Sequence, residues 1–230
     1  MGKPSSGGAG GSTGRQRAVA APAIIPSRNI TIDNKSDGID LLQEMIGRKL
    51  GNEEMADMVG APDGSTVRIK DYDGGITVTV THPNIEDMKQ TLYIMDDKLV
   101  LNNDSIMINK DAPKGMGTAI ITRQVEAARK LGIGKIALYA EGNISNNKMN
   151  GYYTWPRLGF DRKISTPGLP AEIKNAMRDN TMLELYRTQA GRDWWRENGS
   201  GLGLEFDTSP TSSNSQALDA YNEERKKRSG

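Results

Sequence analysis

The residues best suited to chemistry in this chain gather at one glycine turn, Lys114-Gly115-Met116-Gly117-Thr118. Just before it, Ser105 to Asn109 alternates polar with apolar side chains and sets Ile106 and Ile108 on one face, which predicts a strand. Just after it, Ile121, Val125, Ala128 and Leu131 recur at the helical period as one stripe. Gly132 and Gly134 then supply the stop that a left-handed helix end favours. A strand, a glycine turn and a helix in that order aim free backbone N–H groups at whatever occupies the turn. The helix adds about half a unit of positive dipole charge there. The chemistry this supports is anion binding, a pyrophosphate above all, through the amides of Lys114 to Thr118 and the Thr118 hydroxyl. A purely structural turn is the alternative, because glycine turns before helices are common.

Composition narrows the other chemistries. The chain has no cysteine and a single histidine, His82. Disulfides, a cysteine nucleophile and thiolate metal sites are therefore excluded. A histidine zinc site and a Ser-His-Asp triad have too few ligands or partners, so no metal is expected. His82-Pro83 reads as a turn at a strand end.

The elements that must position the turn are legible on both sides of it. Asn29 to Asp33 alternates as a first strand, and Ser36 or Asp37 can cap a helix carrying Ile39, Leu42, Met45, Ile46 and Leu50. Asn52 to Val59 predicts a second short helix, closed by Gly60-Ala61-Pro62. From 66 to 108 the period becomes two. Val67 and Ile69, then Ile76, Val78 and Val80, flank the turn Tyr72-Asp73-Gly74-Gly75, while Thr91 to Met95 and Lys98 to Leu101 flank Asp96-Asp97. Beyond the helix comes another strand, Lys135 to Glu141, then a polar loop and the segment Gly151 to Phe160 (GYYTWPRLGF). This order predicts an α+β fold, with a parallel strand pair only where the central helix crosses over.

Between 105 and 161 the chain resembles the GNAT superfamily of acyl-CoA-dependent N-acetyltransferases. Their motif is a strand, a Gly-x-Gly turn, a helix, a further strand, an Asn-containing loop and a short helix ending in Gly-Phe. Gly115 and Gly117, then Asn143, Asn146 and Asn147, then Gly159-Phe160 follow that order here. The resemblance extends over roughly residues 29–165. It implies a mixed, mostly antiparallel sheet with a central helix and a V-shaped splay of two strands. It also implies acetyl-CoA as co-substrate, held by Lys114, Gly115, Met116, Gly117, Thr118 and Asn146. A backbone N–H near Ile106 to Ile108 would meet the thioester oxygen as it becomes an oxyanion. The reaction implied is acetyl transfer to a primary amine of a small molecule or a protein.

That reaction needs a proton removed from an ammonium with a reference pKa of ~10.4, which at pH 7 costs about 4–5 kcal/mol. Glu141 at the end of its strand is the carboxylate best placed as general base, with Asp104 next; a solvated strand end or a helix-cap contact is the other fate for Glu141. Where the family carries the tyrosine that protonates the leaving thiolate, this chain has Trp155. Tyr152 and Tyr153 lie close by and could take that role, or they are core residues. A thiol of pKa ~8.5 is a fair leaving group even without an acid. The turn also departs from the family, with Ala112 in place of Gln or Arg and with Pro113 removing one N–H.

The flanks organise the rest. Residues 1–28, rich in Gly, Ser, Ala and Pro, predict a disordered leader; Met1-Gly2 with Ser6 also fits a myristoylation pattern, against which a plain flexible leader stands. The GNAT-like domain is expected over 29–205, with a core at 29–165 and a helical extension at 166–205. Pro170 opens a helix through Met177, Thr181 caps Met182 to Arg187, and Arg192 to Glu197 carries Trp194 and Trp195. Residues 206–230 predict a tail with a polar helix. That helix and Trp194/Trp195 are candidate contacts for a protein partner. The stretches GYYTWPRLGFD and RDWWRENG resemble phage-associated proteins with GNAT-like domains. That resemblance opens a second function, a catalytically degenerate binding or structural module of a larger assembly such as a virion. A net charge of +1 gives no overall field for nucleic acid or anionic lipid, and the basic run Arg225 to Arg228 reads as a solvated helix end. No apolar run reaches the ~20 residues a membrane span needs, so a cytoplasmic protein is expected, virion-associated if phage-encoded.

Overall fold

Alternating apolar side chains over seven short segments build one sheet, and helices cover the face those side chains share. The computed structural model describes residues 29–145, 149–165 and 168–229, so the leader and its myristoylation pattern lie outside the described residues. In chain order the elements are β1 (Thr31–Ile32), α1 (Ile39–Ile46), α2 (Asn52–Met58), β2 (Thr66–Tyr72), β3 (Gly75–Thr81), β4 (Ile85–Met95) and β5 (Lys98–Ile108). They continue as α3 (Met116–Leu131), β6 (Ile133–Asn143), α4 (Gly151–Arg157), α5 (Ala171–Asn175), α6 (Met182–Tyr186), α7 (Gln189–Asn198), β7 (Ser200–Asp207) and α8 (Ser213–Ser229). The sheet has seven strands in the order of the chain, β1 to β7. The fold is α+β and mostly antiparallel, as expected.

Register explains the main core. Val67, Val80 and Ile69, Val78 are cross-strand pairs, as are Ile76 with Leu92 and Ile136 with Phe206. All are buried on one face, together with Leu42 of α1, Met58 of α2, Val125 of α3 and Leu218 of α8. Each such side chain contributes about 1.5–3 kcal/mol on leaving water. The other face carries Lys70, Thr79, Lys89, Tyr139 and Glu205, all exposed. A second cluster of Leu169, Met177, Met182, Leu185, Tyr186 and Trp195 packs around Tyr152.

Several details differ from the sequence reading. α1 is capped by Gly38 without a side-chain bond, because the Ser36 hydroxyl accepts instead from the Ile69 N–H of β2 at 3.1 Å. It ends at Gly47, whose φ of 79° admits the left-handed turn, so Leu50 packs on the core from beyond the helix. A second parallel pair, β1 with β2, arises because α1 and α2 form a crossover of their own. β7 carries glycines at 201 and 203, which weaken its strand pattern, yet it pairs antiparallel with β6 from Lys135↔Asp207 to Asn143↔Ser200. Both expected turns are present, with positive φ at Asp73 and Gly74 and at Asp96 and Asp97.

The last helix does not leave the domain. Arg129 near the end of α3 donates to the Thr208 carbonyl at 2.9 Å and to the Ser215 hydroxyl at 2.7 Å. One stretch along, Asn222 donates to the Thr122 hydroxyl at 3.0 Å. Further along still, Arg225 lies against Gly115. These contacts run in opposite directions along the two helices, so α8 lies antiparallel on α3 and brings its basic end to the start of α3.

Candidate functional site

The centre of the sheet opens where β5 and β6 part. The two strands pair in parallel from Leu99↔Ile133 to Asn103↔Leu138 and no further, although β5 runs on to Ile108 and β6 to Asn143. A bulge coincides with the split. Lys89 faces Ser105 and Gln90 faces Asn103, leaving Asp104 as the extra residue of β5. Such a bulge bends its strand and increases the local twist, so β5 turns away from β6 at that point. A polar pair holds the last rung from the core side: the Asn103 and Gln124 amides donate to each other at 3.0 and 2.9 Å. The splay expected from the resemblance is therefore present, with β6 beyond Leu138 pairing on its far side with β7.

Beyond the splay, the glycine turn enters α3. Gly115 is its N-cap with φ of 91°, a left-handed conformation in which an L side chain is strained. The Met116 N–H donates to the Pro113 carbonyl at 3.1 Å, and Ala119 to Gly115 at 3.0 Å. No side chain caps the helix, and its first turn holds no acidic residue. A Cβ on Gly117 would lie 3.1 Å from the Ile108 side chain, so glycine here lets the helix close on the end of β5. Ile106 and Ile108 both pack on the main core, as their shared face predicts, and Met116 joins them. Lys114 is exposed, while Thr118 is half-buried. The guanidinium of Arg225 occupies the space that a Cβ on Gly115 would take. Pairing alone could not reveal that contact, because it joins segments 110 residues apart through the docking of α8.

The carboxylates sit on the sheet face away from α3. Glu141 is exposed near the end of β6, in line with Tyr139. Asp104 accepts from the Thr91 hydroxyl at 2.7 Å and from the Asn102 amide at 2.5 Å. Of the two, Glu141 is the carboxylate without a hydrogen bond among the described residues. α4 begins against it: a Cβ on Gly151 would lie 3.0 Å from the Glu141 carbonyl oxygen.

The two tyrosines of α4 have different surroundings. Tyr152 is 4% exposed, its hydroxyl donates to the Arg196 carbonyl at 2.8 Å, and its own carbonyl accepts from the Trp195 indole at 3.0 Å. Those contacts are a core tyrosine's. Tyr153 is half-buried, with the guanidinium groups of Arg157 and Arg196 5.6 and 5.9 Å from its ring. The Tyr186 hydroxyl donates to the Tyr153 carbonyl at 3.1 Å, and burial, then the nearby Tyr153, pushes that hydroxyl far above its usual pKa. Trp155 packs edge-on to Phe160 at 5.2 Å. Asn143 accepts from the Ser145 N–H at 2.9 Å, whereas Asn146 and Asn147 lie outside the described residues. His82 accepts from the Asn84 N–H at 3.0 Å, a turn contact. Trp195 is buried within the domain, and Trp194 packs partly on the same cluster. Among the described residues no group of His, Cys, Asp or Glu is arranged to hold a metal ion, and no helix is long and apolar enough to cross a membrane.

No family model matches this chain, and no curated protein matches it. Among solved structures it is similar to a GNAT family acetyltransferase from Elizabethkingia anophelis with acetyl-CoA bound, at 14% identity over 58% of this chain and 76% of that one, with a TM-score of 0.30. It is also similar to Rv2747 from Mycobacterium tuberculosis in complex with CoA and NLQ, at 14% identity over 57% and 75% of the two chains, with a TM-score of 0.28. At that identity and score these likenesses say nothing of this chain's chemistry.

Proposed function

We propose that this protein is an acetyl-CoA-dependent N-acetyltransferase acting on a primary amine. The observation that carries the reading is the parting of β5 and β6 after Asn103↔Leu138, opening toward an α3 start with no side-chain cap and no acidic residue in its first turn. In this reading the Lys114, Gly115, Gly117 and Thr118 amides and the Thr118 hydroxyl hold the diphosphate of CoA, the Met116 N–H being taken by the Pro113 carbonyl. The acyl arm lies in the splay, where alternate amides of Asp104 to Ile108 point away from β4 and one of them meets the thioester oxygen. Glu141, exposed at the rim, takes the proton from the ammonium directly or through water. Tyr153 rather than Tyr152 is the tyrosine available to the leaving thiolate, since the Tyr152 hydroxyl is committed to the Arg196 carbonyl.

A second reading has support of its own. Arg225 over Gly115 and the core role of Tyr152 suit a domain that keeps the shape and has lost turnover, acting as a binding or structural module of a larger assembly, a virion included. Titration with acetyl-CoA separates the two. A true cofactor at 100 times its Kd raises stability by about 2.7 kcal/mol. Release of free CoA thiol with a polyamine and lysine-peptide panel then reports transfer. Stabilisation with thiol release upholds the transferase; no stabilisation by acetyl-CoA refutes it and leaves the structural module.

A further inference from the structure

On the sheet face away from the main core, register lines side chains up in rows that cross six strands. One row is Tyr72, Gly75, Tyr93, Val100, Lys135 and Asp207; the next is Lys70, Thr77, Thr91, Asn102, Ala137 and Glu205. A third runs from Arg68 through Thr79 to Lys89 and meets the bulge at Asp104. Glycine, threonine and alanine keep much of the middle low, while Tyr72 on β2 and Tyr139 on β6 stand 60% and 63% exposed. Tyrosine is enriched where surfaces meet a partner. The two margins differ in shape and in charge. On the β2 side Tyr72 projects, and Lys70 and Lys89 have no ion pair among the described residues. On the β7 side lies a cavity of about 620 Å³, whose lining includes Val100, Lys135, Glu205 and Asp207. Its cations Lys98, Arg162 and Lys163 lie off these rows, whereas its carboxylates Glu205 and Asp207 lie on them. Two cations of the rows are matched on their own chain, Arg68 by Asp33 at 3.9 Å and Lys135 by one oxygen of Glu205 at 2.9 Å. A two-fold axis along the strands, between β4 and β5, would lay β2 on β7, β3 on β6 and β4 on β5 of a second copy. Rungs are kept, so Lys70 would meet Glu205, Tyr72 would meet Asp207 at the cavity, and Lys89 would meet the Asp104 bulge, each contact made twice. An axis across the strands would instead stack Lys70 on Lys70.

We propose that this sheet face is a dimer interface whose occupant is a second copy of this chain, seated about the axis between β4 and β5. Opposite charge and a projecting ring facing a cavity then recur at both ends of one self-complementary contact. Six strands ~4.8 Å apart and three rows ~6.8 Å apart cover about 600 Å² on each copy. A stable interface starts at about that area per partner. Glu141 lies beyond the third row on β6, so the contact is independent of the chemistry at the splay. The test is sedimentation equilibrium of the full chain at pH 7 over a wide range of concentration, with circular dichroism melts to confirm that each variant is folded. Wild type is expected to approach twice its 25.1 kDa. Lys70→Glu, Glu205→Lys and Tyr72→Ala are each expected to weaken association by about tenfold or more, since each change counts twice. Lys70→Glu combined with Glu205→Lys restores opposite signs at the same place and is expected to recover most of the loss. Glu53→Lys, exposed on α2 at the helix side of the sheet, is expected to leave association unchanged. A monomer at every concentration overturns the proposal. So does a dimer indifferent to all three single variants, or a double variant as weak as its singles.

Discussion

The polar pair beneath the splay gives the sharpest test of how this sheet is built. Asn103 and Gln124 are 4% and 0% exposed and exchange two hydrogen bonds, at 3.0 and 2.9 Å. Gln90 faces Asn103 across the β4–β5 ladder, is 0% exposed, and has no hydrogen-bond partner for either amide atom among the described residues. These three amides look alike in the sequence and should behave oppositely. Asn103→Leu removes both bonds and strands the Gln124 amide in the core, where an unsatisfied group costs about 1–3 kcal/mol. With two atoms stranded and some return from the buried leucine, the expected loss is about 2–4 kcal/mol. Asn103→Leu with Gln124→Leu strands nothing and should recover most of that loss. Gln90→Leu deletes a group that already lacks partners and should be neutral or stabilising by about 1–3 kcal/mol. Urea unfolding at pH 7, followed by circular dichroism and reported as midpoint and slope, measures wild type, these variants and Gln124→Leu alone. A Gln90→Leu variant less stable than Asn103→Leu, or a double variant no better than the sum of its singles, refutes the reasoning.

Other perturbations have equally definite outcomes. Gly60 has φ of 72° and a Cβ there would strike the Ile120 backbone, whereas Gly47, with φ of 79°, opens on nothing within 4 Å. Gly47→Ala should cost about 1–2 kcal/mol, the left-handed penalty alone, and Gly60→Ala clearly more by the same urea assay. Burial pushes the Glu184 carboxyl up, but the Asp179 and Arg178 amides and the Arg187 guanidinium outweigh it and hold it below the usual carboxylate range. Its stabilisation is therefore complete above the unfolded value of ~4.3 and fades as pH falls through the lower folded value. The melting-temperature gap between wild type and Glu184→Gln should close below about pH 4, and a gap that widens on acidification contradicts the sign. Asp161 has the opposite sign, because burial outweighs its amide contacts with Leu183 and Arg162 and raises it. Protonated Asp161 is favoured by the fold, so its contribution is full below the unfolded value and is lost as pH rises through the folded one. Under the acyltransferase reading, Glu141→Gln should lower kcat about 10²–10⁴-fold with KM little changed. Tyr153→Phe should slow turnover, whereas Tyr152→Phe should cost about 1 kcal/mol of stability and leave turnover alone.

The sequence announced what depended on local period and turn chemistry. The β2–β3 and β4–β5 hairpins follow from alternating side chains around Asp73-Gly74 and Asp96-Asp97, and α3 from its apolar stripe closed by Gly132. It hid what depends on partners far along the chain. β5 reads as two pieces because Asn102-Asn103-Asp104 breaks the apolar alternation, yet those residues are the bulge and the last rung, where the strand is bent rather than ended. β7 was hidden because glycines at 201 and 203 contribute no side chain to a pattern, although pairing with β6 fixes it. α8 reads as polar on every side, and contacts through Asn214, Ser215, Leu218, Tyr221, Asn222 and Arg225 make it part of the domain. The same logic bears on function. A glycine turn predicts open amides from its own residues, but the Met116 N–H is taken by the Pro113 carbonyl, and Arg225 of α8, supplied about a hundred residues later, lies over Gly115. The local motif is read from neighbouring residues, and what covers it comes from the most distant element of the fold.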